Sequence, residues 1–236
     1  MDEKETTERL KYFQGIAAKY GYQTIPASTV YHAFEEMTQP AKLGFATIKT
    51  GLYGKVVNAD LVHLMKLQAL KGAGYSVWWG VSLPYMPHEW RTSLRWHRTF
   101  KSSRLDLFET PHDYFPAIMA DWREGEKYVA DTLHGELYLQ ETLQLMWKRL
   151  HHEITTWFSS VQSLDSILQK AHEQVERKWT GPHHQPDPLM VYAFTLGRIG
   201  HTEEAMMALS SFFELDLEPL ETQENLEKAL ERIHAG

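Results

Sequence analysis

Two segments in the first half of the chain, Leu61–Ala69 and Tyr75–Tyr85, place an apolar residue at every second position. Successive side chains of a β-strand point to opposite faces, so this period of two predicts two strands with a shared apolar side. Between them, Lys71-Gly72-Ala73-Gly74 supplies two glycines, which adopt positive φ without a Cβ clash and let the chain reverse. We therefore predict an antiparallel hairpin at the centre of the fold.

Trp78 interrupts the alternation, because its position puts it on the face opposite Trp79. Either helices cover both faces of the sheet or Trp78 is an exposed aromatic. Covering by a helix is the ordinary interpretation, since burying an indole is favourable. Pro84 and Pro87 lack a backbone N–H and predict the end of this strand.

The residues around this hairpin predict further elements of an N-terminal sheet. An apolar stripe at helical spacing predicts a helix that begins at Thr6 or Thr7, ends at Gly21 and packs on the sheet. Phe45–Ile48 and Leu52–Val57 have the composition of two short strands. Helix, strands and hairpin in this order indicate an antiparallel sheet backed by helices.

The strand pattern stops at Pro111–Pro116, and helical spacing predominates from there to the C-terminus. The segments with this spacing are 117–133, 137–158, 163–179 and 222–234, together with a helix pair within 189–217. The fold class that we predict is α+β, with an N-terminal antiparallel sheet followed by an all-helical half. The predicted domains are an α+β module (1–115), a helical module (116–180) and a helical hairpin with a terminal helix (187–236).

Residues 189–217 resemble a single tetratricopeptide-type unit. Gly200 occupies the turn between its helices, Ala205 the small position where they touch, and Ala193 and Leu217 depart from the usual glycine and proline. The resemblance implies a protein-binding scaffold, although such scaffolds need stacked repeats to form a groove. The alternative is a helix pair that completes the core.

A looser resemblance extends along the chain. Lys66-Leu67-Gln68, the run Tyr75–Val81, and Trp157-Phe158 followed by Ser163-Leu164 are similar to an uncharacterised bacterial family of small α+β proteins. This resemblance implies a fold and no activity.

Composition restricts the class of protein. The formal net charge of −7 argues against general nucleic-acid affinity, which needs a broad cationic surface. No cysteine occurs, and the N-terminal Met1–Glu5 is acidic with no apolar run behind it long enough to span a membrane. We expect a cytoplasmic protein without membrane association, and a homo-oligomer is left open.

The segment from Trp90 to Arg104 concentrates five cations and three aromatic residues in an acidic chain. Arginines bind phosphate or carboxylate oxygens with two N–H donors, and indoles stack on rings. The candidate ligand-binding residues are Trp90, Arg91, Arg95, Trp96, His97, Arg98 and Arg104. The alternative is a solvated strand face paired with Asp121, Glu124 or Glu126.

Histidines near this segment suggest acid–base chemistry. His88, His97 and His112 flank the cations, and Glu89, Glu109 and Asp113 could orient an imidazole. The sequence contains no nucleophile elbow, phosphate-binding loop or dinucleotide motif. We therefore expect no cofactor.

A metal site is not predicted. The densest histidines are His151 and His152, and adjacent residues on a helix point about 100° apart, so both cannot readily bind one ion. No His-Glu-x-x-His spacing occurs.

The function that these patterns favour is a binding or protein-interaction protein, whose partner is a protein or an anionic small molecule. The alternative is an enzyme acting on a phosphorylated or carboxylated small molecule, with Arg95 and Arg98 holding the anion and His97 or His88 moving a proton. A purely structural subunit is a third possibility.

Overall fold

The computed structural model describes residues 3–71, 74–90, 93–96, 98–111, 121–177, 186–215 and 220–234. The fold is α+β, as predicted, with an N-terminal antiparallel sheet and a helical C-terminal half. The helices are α1 (Glu3–Tyr20), α2 (Ala27–Thr38), α3 (Trp122–Glu126), α4 (Gly135–Ser160), α5 (Leu164–Glu176), α6 (Pro188–Arg198), α7 (Thr202–Leu215) and α8 (Leu220–His234). The strands are β1 (Ala46–Lys49), β2 (Leu52–Asn58), β3 (Leu61–Leu70), β4 (Gly74–Ser82), β5 (Pro87–Trp90), β6 (Ser93–Trp96), β7 (Leu107–Glu109) and β8 (Ala130–Asp131).

The main sheet has the strand order β1-β2-β3-β4-β7, and β8 also pairs with β4. Strands β3 and β4 are hydrogen-bonded neighbours, which confirms the predicted pairing of Leu61–Ala69 with the segment that begins near Tyr75. The reversal at Gly72 and Ala73 lies outside the described residues. Strands β5 and β6 form a separate sheet of two strands.

Strand β4 is buried on both faces. Trp79 and Val81 are inaccessible to solvent on one face, and Ser76 and Ser82 are buried on the other. Trp78, on the same face as the serines, is half-buried. The interpretation in which both faces are covered therefore holds for this strand.

The chain divides into two compact units, and each contains several separate segments. The first unit comprises Met1–Phe45, Lys66–Trp78 and Thr110–Glu153, and the second comprises Ala46–Met65, Trp79–Glu109 and Ile154–Gly236. The three-module division made from the sequence stays a prediction.

In the first unit, helical spacing predicts a helical segment over 117–133, with a break near Gly125 left open. In its described part, helix α3 covers Trp122–Glu126, and Ala130–Asp131 differs from the prediction by forming β8 against Gly74 and Tyr75 of β4. The approach is close, because a Cβ on Gly74 would lie 2.5 Å from Val129 Cγ1. At Ala130–Asp131, hydrogen bonds to β4 take the place of helical ones. A strand of two residues is too short to show a periodic pattern in the sequence, so it could not be predicted.

Helix α1 contacts α3 within the same unit. The Arg9 guanidinium lies 3.2 Å from the Glu126 carboxylate, and Arg123 donates to Glu8 at 2.5 Å. The rings of Tyr12 and Trp122 meet edge to face with centroids 5.3 Å apart. These contacts hold the N-terminal helix α1 against α3.

In the second unit, helices α6 and α7 form the helix pair expected within 189–217. Gly200 makes the turn with φ of 93°, a left-handed conformation that favours glycine. A Cβ on Gly197 would lie 2.6 Å from Leu230 of α8, so α8 packs closely on α6. The tetratricopeptide likeness stays a prediction. None of the described helices combines the length and the apolar character that a membrane span requires.

Candidate functional site

The basic segment folds as part of a hairpin. Strand β5 pairs antiparallel with β6, with Pro87 opposite Trp96 and His88 opposite Arg95. Pro87 therefore begins a strand, and β4 has already ended at Ser82, before Pro84. Beyond β6, Phe100–Ser102 forms a 3-10 helix whose first turn is capped by Thr99, and its last residue donates to the Thr99 carbonyl oxygen. The segment is therefore divided between strand β6 and this 3-10 helix.

The predicted site residues differ in exposure. Arg95 and Arg98 are exposed. Trp96, which follows Arg95 in the sequence, is half-buried. Lys101, a cation of the same segment, is exposed as well. Arg91 and His97 lie outside the described residues, and only the backbone of Trp90 is described. The hairpin thus presents a small exposed set of cations around one indole.

Arg98 and Trp96 make direct contact. The Arg98 guanidinium carbon lies 5.3 Å from the centroid of the Trp96 ring, which is a cation–π geometry. Such a contact contributes about 0.5–1 kcal/mol at an exposed site, so it favours one orientation of the guanidinium while leaving its N–H donors in solvent. Within the described chain, Arg98 and Lys101 form no ion pair. Both cations are available to an external anion.

A buried carboxylate anchors the base of the hairpin. His88 Nε2 lies 3.0 Å from Asp106 Oδ1, and the two side chains are 5% and 0% exposed. The other carboxylate oxygen, Asp106 Oδ2, accepts a hydrogen bond from the backbone N–H of Leu83 at 2.6 Å. A buried charge persists only when it is paired and hydrogen-bonded. These contacts connect β5, the end of β4 and the approach to β7.

Arg104 also lies near the Asp106 carboxylate, with its own side chain partly exposed. Its Nε lies 3.9 Å from Asp106 Oδ1, and its backbone N–H donates to Ser82 Oγ at 3.3 Å. Arg104 is thereby directed at a carboxylate of its own chain, unlike Arg98.

Two of the three acidic residues proposed as partners of the basic segment form ion pairs with other cations. Glu124 pairs with Lys127 and Arg149, and Glu126 pairs with Arg9. Glu109, which the sequence offered as a group to orient an imidazole, is 1% exposed and accepts a hydrogen bond from Arg177 Nη2 at 2.6 Å. His112 and Asp113 lie outside the described residues.

Sequence reasoning missed Asp106. It follows Leu105 and precedes Leu107 and Phe108, and a single carboxylate in an apolar run is a signal that the residue has a buried partner. Across the described ranges, no three His, Asp or Glu side chains come together as a metal site would need.

Comparison with known proteins gives no relative for this arrangement. No model of a protein family matches the chain, and neither a curated protein nor a solved structure matches it. The resemblances to a bacterial family and to a tetratricopeptide unit stay predictions.

Proposed function

We propose that this chain is a binding protein that captures an anionic group of a partner through the β5–β6 hairpin and the 3-10 helix after it. The observation that carries the proposal is the contact of the exposed Arg98 guanidinium with the Trp96 ring. The hairpin that holds both residues is fixed by the buried His88–Asp106 pair. An anchored platform holds its cations in place before the ligand arrives, which lowers the entropic cost of binding.

Local charge supports the same function. The segment from Trp90 to Arg104 contains no Asp or Glu, whereas the whole chain has a formal charge of −7. An isolated positive region on an acidic protein attracts an anionic group while the remaining surface repels polyanions. The proposed ligand group is a carboxylate or a phosphate.

The enzyme alternative has less support. A proton-transferring histidine must reach its substrate, and His88 is 5% exposed with Nε2 directed at Asp106. These contacts favour a positioning role for His88 over proton transfer.

The double variant Arg95→Ala with Arg98→Ala tests the proposal. We expect its affinity for anionic probes to fall by about tenfold or more, because hydrogen bonds to charged groups are lost. The probes are a Glu-rich peptide, a phosphoserine peptide and inorganic phosphate, each followed by isothermal titration calorimetry. The unfolding midpoint should stay within about 2 °C, since substitutions at exposed positions change stability little.

The matched control removes two exposed cations elsewhere in the second unit, Lys49→Ala with Lys55→Ala. This control should bind as the unmodified chain does. Equal loss of affinity in both double variants would show a nonspecific charge effect, and unfolding of the arginine variant would make those arginines structural; either result contradicts the proposal.

A further inference from the structure

A buried histidine of strand β3 contacts the end of helix α4. His63 is 2% exposed, and its Nε2 lies 2.5 Å from the backbone carbonyl oxygen of Val161, the residue that follows α4. The imidazole also stacks on the Phe158 ring, with the centroids 4.7 Å apart. Helix α5 begins three residues after Val161, so these contacts fix the junction between α4 and α5.

The acceptor defines the protonation of the neutral ring. A carbonyl oxygen only accepts, so Nε2 carries the hydrogen and donates it to Val161, and a second proton would go to Nδ1. That proton gives the buried ring a positive charge, which is costly unless an anionic partner is present. In the part of the chain that the structure describes, no carboxylate forms an ion pair with His63.

The surroundings of the imidazole disfavour its charged form. Lys55 of β2 is the charged side chain that acts on it, whereas Phe158 and Val161, which face it from α4 and the junction, do not titrate. Burial lowers the pKa of His63 below its ordinary value of 6.5, the hydrogen bond to Val161 raises it, and the charge of Lys55 lowers it. An imidazole released into water regains the ordinary value, so below pH 6.5 the released state binds more protons than the closed state.

We infer that these contacts form an acid-sensitive latch, in which protonation of His63 favours release of the α4–α5 junction from β3. The closed state is most stable above pH 6.5, and it loses stability as the pH falls from there toward the lower pKa of the buried ring. Within this window, the ratio of released to closed molecules grows by about tenfold for each pH unit.

Hydrogen–deuterium exchange of the full chain, followed by mass spectrometry, tests the latch. The exchange rates of residues 154–166, corrected for the intrinsic pH dependence of exchange, are compared with those of β3. Between pH of about 7.5 and about 5, we expect the corrected rate of the junction to rise about fivefold or more and that of β3 to change less. In His63→Gln the junction should respond by less than about twofold, because the glutamine amide can donate to Val161 and does not titrate.

Two further variants make the test independent of whether His63→Gln folds. Lys55→Glu replaces the cation that acts on His63 by an anion and should reduce the acid response of the junction. Lys49→Glu, a matched change of an exposed lysine on β1, should leave that response unchanged. An acid response that is equal in His63→Gln and the unmodified chain, or equal in the two lysine variants, would overturn the inference. Equal acceleration of the junction and β3 would overturn it as well, because the whole unit would then unfold together.

Discussion

His88, Asp106, Trp96 and Arg98 divide the hairpin into a buried base and an exposed surface. The base contains the Asp106 carboxylate, which is inaccessible to solvent. This carboxylate lies beside the His88 imidazole and accepts a hydrogen bond from the Leu83 N–H. The surface is held by the contact of Arg98 with Trp96. Because the two sets do not share a side chain, stability and binding should respond to different substitutions.

Asp106→Ala should lower the free energy of unfolding by about 3–5 kcal/mol, because it removes the carboxylate that lies 3.0 Å from the buried His88 Nε2 and that accepts a hydrogen bond from the Leu83 N–H. Urea denaturation followed by circular dichroism measures this loss. The matched control is Glu36→Ala, which removes the carboxylate of the exposed pair formed with His32. That variant should stay within about 0.5 kcal/mol of the unmodified chain.

A comparable effect of Asp106→Ala and Glu36→Ala would contradict the assignment of Asp106 as the anchor. In that case His88 would be held by packing alone.

Single residues were the part of the candidate site least accessible to sequence reasoning. The segment's concentration of Arg and Trp predicted Arg95, Trp96, Arg98 and Arg104 as binding residues, and their binding roles stay predictions. Composition did not indicate that Arg104 Nε lies 3.9 Å from the Asp106 carboxylate. Which cation has an internal partner depends on contacts between distant segments, and sequence proximity does not report these.

Strands β3 and β4 show how far periodicity determines the elements. Alternation predicted both strands because each has an apolar residue at every second position over a long run. Strand β8 and the β5–β6 hairpin escaped prediction, since strands of two to four residues contain too few positions for a period to appear. Their formation depends on the sheet edge or partner strand beside them.

Gly80 provides a test of the packing between β4 and β7. A Cβ at this position would lie 2.2 Å from the Leu107 carbonyl oxygen and 2.6 Å from Phe108 Cα, and backbone atoms of a paired strand cannot move away cheaply. Gly80→Ala should therefore lower the free energy of unfolding by about 3 kcal/mol. Chemical denaturation of the purified variant measures the change.

Gly15→Ala is the matched control, because a Cβ there meets no atom within 4 Å and the residue lies inside α1. Alanine is the better helix former, so this variant should gain about 0.5–1 kcal/mol. A Gly80→Ala variant as stable as the unmodified chain would mean that β7 does not approach β4 as closely as described.

The molecule as a whole combines an acidic chain with one local concentration of positive charge. Fold class and the central strand pair followed from the sequence, because they depend on the apolar pattern of Leu61–Ala69 and Tyr75–Tyr85. The two compact units did not follow, since each assembles three segments that are separate in sequence. Charge, by contrast, is additive along the chain, and Arg95, Arg98 and Lys101 of the basic segment are exposed in the folded protein.

Reversing the charge of this segment tests whether it selects the partner. The double variant Arg98→Glu with Lys101→Glu should lose affinity for the Glu-rich peptide and gain affinity for a Lys-rich peptide of the same length, because opposite charges attract and like charges repel across an interface. Anisotropy titration of both peptides against both proteins gives the four dissociation constants. An inverted preference is the predicted result, and a variant that keeps the acidic peptide with unchanged affinity would contradict the assignment of this hairpin as the binding surface.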